Sequence, residues 1–139
     1  MMAYLLDTCA LSDGSKSLPN PQLLSWLESR PEEERYVSAI SLGEIMYGIF
    51  RLPAGKRRMF LSEWYDDVLR PIYDGRILPF GEHEAMTWAR LRSAHPSCDD
   101  VDSQIAATAI AHNLTLVTRN VRAFAFEGLS VVNPWDSES

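Results

Sequence analysis

The chain contains little of what would mark it as a secreted or membrane protein. It has two cysteines, Cys9 and Cys98, too few for the disulfide framework of a small secreted domain or for a cluster of thiolate metal ligands. We expect both thiols to be reduced and packed. No apolar run approaches the ~18 residues of a membrane span, and no charged segment followed by an apolar stretch marks a signal peptide. These absences predict a cytoplasmic protein.

An excess of positive charge is also missing. The 13 basic and 19 acidic side chains give a formal net charge of −6. A protein that binds nucleic acid mainly through phosphate contacts is usually basic. Either nucleic acid is not the partner, or local positive patches and a bound metal compensate, and the net charge leaves both open. The three histidines lack metal-ligand spacing, and no nucleophile–base pair can be assembled from them.

What is present is enough apolar material for one ordinary domain. The 139 residues are 46% hydrophobic, with 8 prolines and 7 glycines, and a chain of this length buries roughly two-thirds of its unfolded surface. No repeat, linker or low-complexity tract interrupts it. We therefore predict a single domain spanning residues 1–139.

Short apolar runs alternate with helical patterns along the whole chain. The predicted strands are 3–6, 36–38, 76–80, 115–118 and 129–132. The predicted helices begin at Pro21 and cover 41–50, 56–69, 82–93 and 102–112, the last closed by Asn113 as a left-handed cap. This alternation is typical of an α/β fold with a mainly parallel sheet that carries helices on both faces.

The sequence also predicts where several large apolar side chains pack. In helix 56–69 the spacing places four side chains on one buried face, namely Phe60, Leu61, Trp64 and Val68. The tryptophans of the chain, Trp26, Trp64, Trp88 and Trp135, fit packing in a core or interface more readily than base stacking.

Three carboxylates fall where a strand ends or a helix begins. Asp7 follows the first strand, Glu44 lies early in helix 41–50, and Asp102 opens helix 102–112. Because a parallel sheet brings the carboxyl ends of its strands to one crevice, we expect these acids to converge. Converging carboxylates repel one another unless a cation lies between them. A divalent metal and phosphodiester chemistry are the usual answer.

Each acid also has a structural explanation that the sequence leaves open. Asp7 fits a turn aspartate that caps the next helix. Ser41 and Glu44 have the spacing of a capping box, in which the glutamate reaches back to the cap. Asp102 belongs to the acidic run 99–102, any member of which fits an N-cap favoured by the helix dipole.

Polar and basic residues near the fourth strand complete the candidates. Thr118 and Asn120 follow that strand and are candidates for holding a water or a phosphate oxygen, although turn chemistry explains Asn120 nearly as well. Arg119 and Arg122 flank them as candidates for phosphate contacts. The densest basic cluster, Arg51, Lys56, Arg57 and Arg58, fits a solvated helix face by default and a phosphate-contacting or partner-binding patch as the alternative.

These pieces, in this order, resemble the PIN-domain nucleases, and more narrowly the VapC/FitB-like toxins of bacterial toxin–antitoxin systems. The matching segments read YLLDT at 4–8, VSAISLGEI at 37–45 with Gly48, RILP at 76–79, IAATAIAHNLTLVTRN at 105–120 and VNPW at 132–135. The resemblance spans essentially the whole chain. It implies a three-layer fold with a five-stranded parallel sheet.

The resemblance also implies a chemistry and partners. Asp7, Glu44 and Asp102 match the family's metal-site acids, with Thr8 as an accessory residue beside the first of them, and the implied cofactor is Mg²⁺ or Mn²⁺. The implied activity is metal-dependent endonucleolytic cleavage of RNA by a toxin that forms homodimers and is inhibited by a small antitoxin.

The chain departs from the family pattern at three places. Cys9 stands where relatives often have Asn, and a thiol cannot copy the hydrogen bonds of an amide. Residues 118–124 contain no carboxylate where relatives often carry a fourth acid, so Asn120 is the best substitute. The segment 94–98 looks shorter than usual. These departures keep open an alternative, a catalytically weak or inactive subunit that binds an antitoxin and acts in DNA-bound transcriptional regulation.

Overall fold

Five parallel strands form one sheet at the centre of the protein. The computed structural model describes residues 2–135. Its strands are β1 (Tyr4–Leu6), β2 (Arg35–Ser38), β3 (Ile77–Leu78), β4 (Thr115–Val117) and β5 (Val131–Val132). They lie in the order β3-β2-β1-β4-β5, and every neighbouring pair is parallel. The predicted five-stranded parallel sheet is confirmed; four strands are shorter than predicted, whereas β2 begins one residue earlier, at Arg35.

Helices cover both faces of this sheet. They are α1 (Thr8–Ser12), α2 (Pro21–Glu28), α3 (Ala39–Phe50), α4 (Lys56–Trp64), α5 (Arg70–Ile72), α6 (Glu82–Ala94) and α7 (Asp100–Ala111). A π-helical segment, Tyr65–Leu69, joins α4 to α5, and 3₁₀ turns cover Asp13–Ser15, Glu32–Glu34 and Val121–Phe124. The predicted extent of the domain, 1–139, remains a prediction, because residue 1 and residues 136–139 lie outside the described part.

Two apolar cores, one on each face, hold the three layers together. Successive side chains of a strand point to opposite faces. Tyr4 and Leu6 of β1 therefore pack in the core under α1–α4, whereas Leu5 packs in the core under α6 and α7. Leu5 and Leu6 are almost completely buried, so a polar substitution at either position would leave a polar group without water.

The long helical arm after α3 differs from its prediction. Instead of one α-helix over 56–69, the chain forms α4, the π segment and α5, ending at Ile72. Trp64 is buried as predicted, but Phe60 and Val68 are about half exposed, at 55% and 50%. The π segment inserts one extra residue into a turn, which rotates the face beyond it. Phe60, which precedes that segment, lies on the outer side of α4.

The strand order places the site-bearing residues together. β1 lies between β2 and β4: the chain runs from β1 outward to β2 and β3, and then returns to form β4 and β5 on the other side of β1. At such a switch point the loops diverge and leave a crevice beyond the carboxyl ends of the strands. Asp7 follows β1 and Thr118 follows β4, so both lie at this crevice.

Candidate active site

Asp7 is the N-cap of α1, and three hydrogen bonds fix its position. Its backbone N–H donates to Val117 O at 3.1 Å, which fixes it at the end of β1. Its Oδ1 accepts a hydrogen bond from the Ala10 backbone N–H at 3.0 Å, and its Oδ2 accepts one from the Thr118 hydroxyl. The carboxylate caps the helix, as one of the two interpretations of the sequence expected, and it is only 5% exposed.

Glu44 does not form the capping box that its spacing with Ser41 suggested. The helix α3 begins at Ala39, and its N-cap is Ser38, whose hydroxyl accepts from the Ile40 backbone N–H at 3.1 Å. Glu44 therefore lies in the second turn, beyond the unpaired backbone donors of the helix start. Its Oε1 instead accepts a hydrogen bond from the Thr8 hydroxyl. The capping-box prediction is wrong, because the chain enters the helix three residues earlier.

Asp102 lies in the first turn of α7, but a neighbour caps that helix. Asp99 is the N-cap, and its Oδ2 accepts from the Asp102 backbone N–H at 2.9 Å. Within residues 2–135 the carboxylate of Asp102 has no hydrogen bond of its own. Burial, followed by the charges of Asp99, Glu44 and Asp7, raises the pKa of Asp102 from 3.8 to about 6. The three predicted acids are thus close enough to repel one another.

One cavity of about 340 Å³ gathers these acids. Nine residues line it, namely Asp7, Thr8, Cys9, Ser12, Glu44, Asp102, Ile105, Asn120 and Phe124. The structure therefore brings together the three predicted acids, Thr8 and Asn120. Thr118 is fully buried behind Asp7, and its hydroxyl also accepts from the Asn120 backbone N–H at 3.0 Å.

The two predicted phosphate contacts do not line this cavity. Arg119 is exposed and lines a neighbouring groove with Lys16 and Trp135. Arg122 is exposed in the 3₁₀ turn Val121–Phe124. Phosphate contact by either residue remains a prediction, but their side chains lie outside the pocket of the carboxylates.

Cys9 is part of the site rather than packed. It is exposed, and its thiol donates to Asp7, with Sγ 2.9 Å from Oδ1 and 3.2 Å from Oδ2. Burial of the sulfur, the charge of Asp7 and the hydrogen bond to Asp7 raise the pKa of the Cys9 thiol to about 12. The expectation of a packed thiol is wrong for Cys9, whereas Cys98 is half-buried against the second core. At neutral pH Cys9 is a neutral donor to Asp7.

The donor set fits a hard divalent cation. Mg²⁺ and Mn²⁺ prefer oxygen ligands, above all carboxylates, and a cation would relieve the repulsion that raises the pKa of Asp102. Across residues 2–135, however, no three acidic, histidine or cysteine side chains are already grouped as a ready ligand set. Asp7 accepts hydrogen bonds from the Thr118 hydroxyl and the Cys9 thiol, and Glu44 accepts one from Thr8. The carboxylate of Asp102 accepts none within the part of the chain that the structure describes.

Sequence reasoning missed three residues that line the cavity. Ile105 lies one helical turn after Asp102, so the i, i+3 spacing on α7 would have placed it there. Ser12 ends α1, which begins directly after Asp7. Phe124 comes from a 3₁₀ turn after β4, and no pattern in the sequence predicts that it lines the cavity.

Comparison with known proteins agrees with this arrangement. The sequence model of the family described as "PIN domain" matches residues 4–127. The chain belongs to the PIN-domain family. The cavity of this PIN domain, with its three acids, lies within the matched segment.

Its relatives include named toxins and ribonucleases. The chain is 38% identical to toxin FitB of Neisseria gonorrhoeae over 135 residues, covering 94% of this chain and 97% of FitB. It is 34% identical to VapC ribonuclease Y4jK of Sinorhizobium fredii, covering 95% and 97%. A solved structure of FitAB bound to an IR36 DNA fragment matches with a TM-score of 0.89 and 36% identity, covering 98% of both chains. The expected resemblance to VapC/FitB-like toxins is confirmed.

Proposed function

We propose that this PIN domain is a metal-dependent endoribonuclease that serves as the toxin of a toxin–antitoxin pair. The observation that carries the proposal is the single cavity in which Asp7, Glu44 and Asp102 meet at the carboxyl edge of the sheet. The names of two relatives, a VapC ribonuclease and toxin FitB, support the same activity. We place the activity in the cytoplasm; among residues 2–135 no helix has the length and apolar character needed to cross a membrane.

In such a site the acids and the threonine hydroxyls would have different roles. Asp7, Glu44 and Asp102 would hold Mg²⁺ or Mn²⁺, which when bound supplies Lewis-acid stabilisation of the phosphoryl group and helps to generate the attacking hydroxide. Thr118 holds the carboxylate of Asp7 from behind, and Thr8 holds that of Glu44. These hydroxyls fix the orientation of two acids, which matters because displacement of a reacting group by about 1 Å can cost ~100-fold in rate.

The proposed partners follow from the relatives. FitAB has been solved on a DNA fragment, so we propose that this chain also binds a small antitoxin and that the complex occupies DNA. A homodimer is part of the same proposal.

Cleavage of RNA by purified wild type and variants tests the activity. Asp7→Asn keeps the shape of the side chain and an oxygen that can cap α1, but removes the charge. We expect Asp7→Asn, Glu44→Gln and Asp102→Asn each to lower Mg²⁺- or Mn²⁺-stimulated cleavage by ~100-fold or more. Expression of the same variants should no longer arrest bacterial growth.

Asp66→Asn is the matched control, because Asp66 is an exposed acid on the π segment, outside the cavity. It should cleave RNA as the wild type does. Cleavage that survives Asp7→Asn would contradict the role assigned to Asp7.

A second function is favoured by two particular observations. Asn120 stands where relatives often carry a fourth acid, and Asp7 is already saturated by the Thr118 hydroxyl, the Cys9 thiol and the Ala10 N–H. Both would weaken a cation site and favour an inactive subunit that regulates transcription with its antitoxin. If neither Mg²⁺ nor Mn²⁺ binds at millimolar concentration while the partner complex binds DNA tightly, this second function holds.

A further inference from the structure

Two grooves flank the loop formed by residues 13–21. The first, which we call the Trp135 groove, has a volume of about 470 Å³ and is lined by Asp13, Lys16, Leu18, Arg119 and Trp135 among others. The second, the Phe60 groove, has a volume of about 510 Å³ and is lined by Lys16, Leu18, Arg57 and Phe60 among others. Because Lys16 and Leu18 line both, the two grooves meet at the loop.

The Trp135 groove also adjoins the carboxylate cavity. At two places in the sequence, a residue that lines the cavity is directly followed or preceded by a residue that lines the groove. Ser12 and Asn120 line the cavity, and their chain neighbours Asp13 and Arg119 line the groove. The cavity and the two grooves therefore adjoin one another along the chain, and we call the surface from the carboxylates past Arg119 and Lys16 to Arg57 the path.

Among residues 2–135, the charged side chains that line the two grooves are mostly positive, although the whole chain has a net charge of −6. Arg57 and Arg119 are exposed, and neither forms an ion pair with any residue in the range 2–135. Lys16 lies 3.3 Å from Asp13, and its side chain remains 56% exposed. Asp13 itself is buried and also accepts a hydrogen bond from the Asn20 backbone N–H at 2.9 Å. Three exposed cations beside one buried, partly neutralised acid favour a polyanion.

Aromatic and apolar side chains alternate with these cations. Phe60 is 55% exposed and Leu18, at the loop, is 87% exposed. The indole of Trp135 is partly buried against the core that contains Tyr4 and Leu6, and this packing holds the side chain where it lines the groove. Cations interleaved with ring faces are the pattern by which proteins hold unpaired nucleotides, the rings stacking on bases and the cations following phosphates. Bases inside a duplex are not free to stack in this way.

We propose that single-stranded RNA leaves the carboxylate cavity along this path, with its phosphates on Arg119, Lys16 and Arg57 and its bases on Trp135 and Phe60. The proposal rests on the proposed ribonuclease function and adds the route that the RNA follows over the surface of this chain. It assigns Arg57 to the phosphate-contacting alternative that the sequence left open. It also gives Phe60 and Trp135 a role that packing alone does not supply.

The test measures binding of fluorescein-labelled single-stranded RNA by fluorescence anisotropy as the salt concentration is varied. All proteins carry Asp7→Asn, so that the RNA stays intact. Each phosphate contact to a single strand contributes a slope of about 0.7 to the dependence of log affinity on log salt. We expect Arg57→Ala and Arg119→Ala each to reduce the slope by about 0.7 for an RNA of about 12 nucleotides.

Phe60→Ala tests the stacking contact without removing a charge. It should weaken binding of the same RNA roughly fivefold or more, because loss of one base–aromatic stack costs ~1 kcal/mol or more, and it should leave the slope unchanged. Thermal melts of each variant establish that the fold is intact.

Arg90→Ala is the matched control for charge, because Arg90 is exposed on α6, which packs on the opposite face of the sheet. If Arg57→Ala and Arg119→Ala give the same slope and affinity as Arg90→Ala, the path is wrong, even though metal-stimulated cleavage by the wild type would still support the proposed function. If these variants release a co-purified partner protein and leave RNA binding unchanged, the grooves hold protein and the proposal is overturned. Absence of both RNA binding and cleavage would remove the proposed function as well.

Discussion

At the scale of single residues, the site is built from charges that oppose one another. Burial and the charges of Asp99, Glu44 and Asp7 raise the pKa of Asp102 to about 6 from its ordinary 3.8. The folded protein thus holds this proton more tightly than the unfolded chain does. The free energy of unfolding therefore falls as the pH rises from 3.8 to about 6, and above that range charged Asp102 destabilises the metal-free protein.

We therefore predict that Asp102→Asn stabilises the metal-free protein at neutral pH. The melting temperature should rise by a few degrees at most, because Asp102 is partly exposed and solvent screens the repulsion. Near pH 3.8, the ordinary pKa of the group, the gain should largely disappear. Thermal melts with a chelator present at both pH values check this, with Asp66→Asn as control. Equal melting temperatures for variant and wild type at neutral pH would contradict it.

Cys9 offers a second test at this scale. Cys9 is exposed as a residue, but burial around its sulfur, together with the charge and hydrogen bond of Asp7, raises the pKa of the thiol to about 12. Since only the thiolate reacts, Cys9 should be alkylated far more slowly at about pH 8 than a free cysteine with its ordinary pKa of ~8.5. Asp7→Asn removes the charge and should speed the reaction.

Mass spectrometry of iodoacetamide-treated protein in a Cys98→Ser background measures the rate at Cys9 alone. Alkylation of wild-type Cys9 as fast as a free thiol, or an unchanged rate in Asp7→Asn, would show that Asp7 does not hold the thiol neutral.

At the scale of elements, the start of α3 decides where Glu44 lies. Ser38 is fully buried and caps the helix, whereas Ser41 is fully buried with no hydrogen-bond partner for its hydroxyl within residues 2–135. We predict that Ser38→Ala lowers the free energy of unfolding by ~1 kcal/mol, the usual cost of a lost cap. Ser41→Ala should be neutral or stabilising, because a buried unpaired hydroxyl carries a desolvation cost.

Urea unfolding of the two variants checks this pair, and each serves as the other's control. A larger loss for Ser41→Ala than for Ser38→Ala would restore the capping box of Ser41 and Glu44 and reject the assignment of the cap to Ser38.

For the helix α3, the sequence predicts the buried face but not the residue at which the helix starts. Leu42, Ile45, Met46 and Ile49 recur at helical spacing in the sequence, and in the structure three of them are buried while Met46 packs partly against the same core, on one face of α3. Its start was misplaced because Ser38 and Ser41 are both good caps, and local chemistry does not choose between them. The cap is determined by the end of β2, which places Ser38 at the N-terminus of α3. The predicted convergence of the three acids depended on the sheet being parallel, which the alternation of strands and helices favours.

Other features depend on tertiary context that no pattern in the sequence contains. Phe60 has the spacing of a buried residue, but the α4–π–α5 arm leaves it exposed. Arg119 follows β4 as predicted, yet its side chain enters a groove beside the cavity rather than the cavity itself. In both cases the sequence places the residue on the right element, and packing decides which way it points.

At the scale of the whole molecule, a net charge of −6 and the proposed binding of RNA are compatible. Three of the acids are collected in one cavity, where a divalent cation would neutralise part of their charge, and exposed basic side chains line the adjoining grooves. Local arrangement rather than net charge therefore governs which partner the protein attracts.

The central claim is that Asp7, Glu44 and Asp102 form one cation site, and calorimetric titration with Mn²⁺ or Mg²⁺ tests it most directly. The account predicts that the wild type binds the cation at millimolar concentration or below. It predicts that Asp7→Asn, Glu44→Gln and Asp102→Asn each weaken binding ~10-fold or more, while Asp66→Asn binds as the wild type does. If the wild type binds neither cation at millimolar concentration, or if the three variants bind as tightly as the wild type, the three carboxylates are not one metal site.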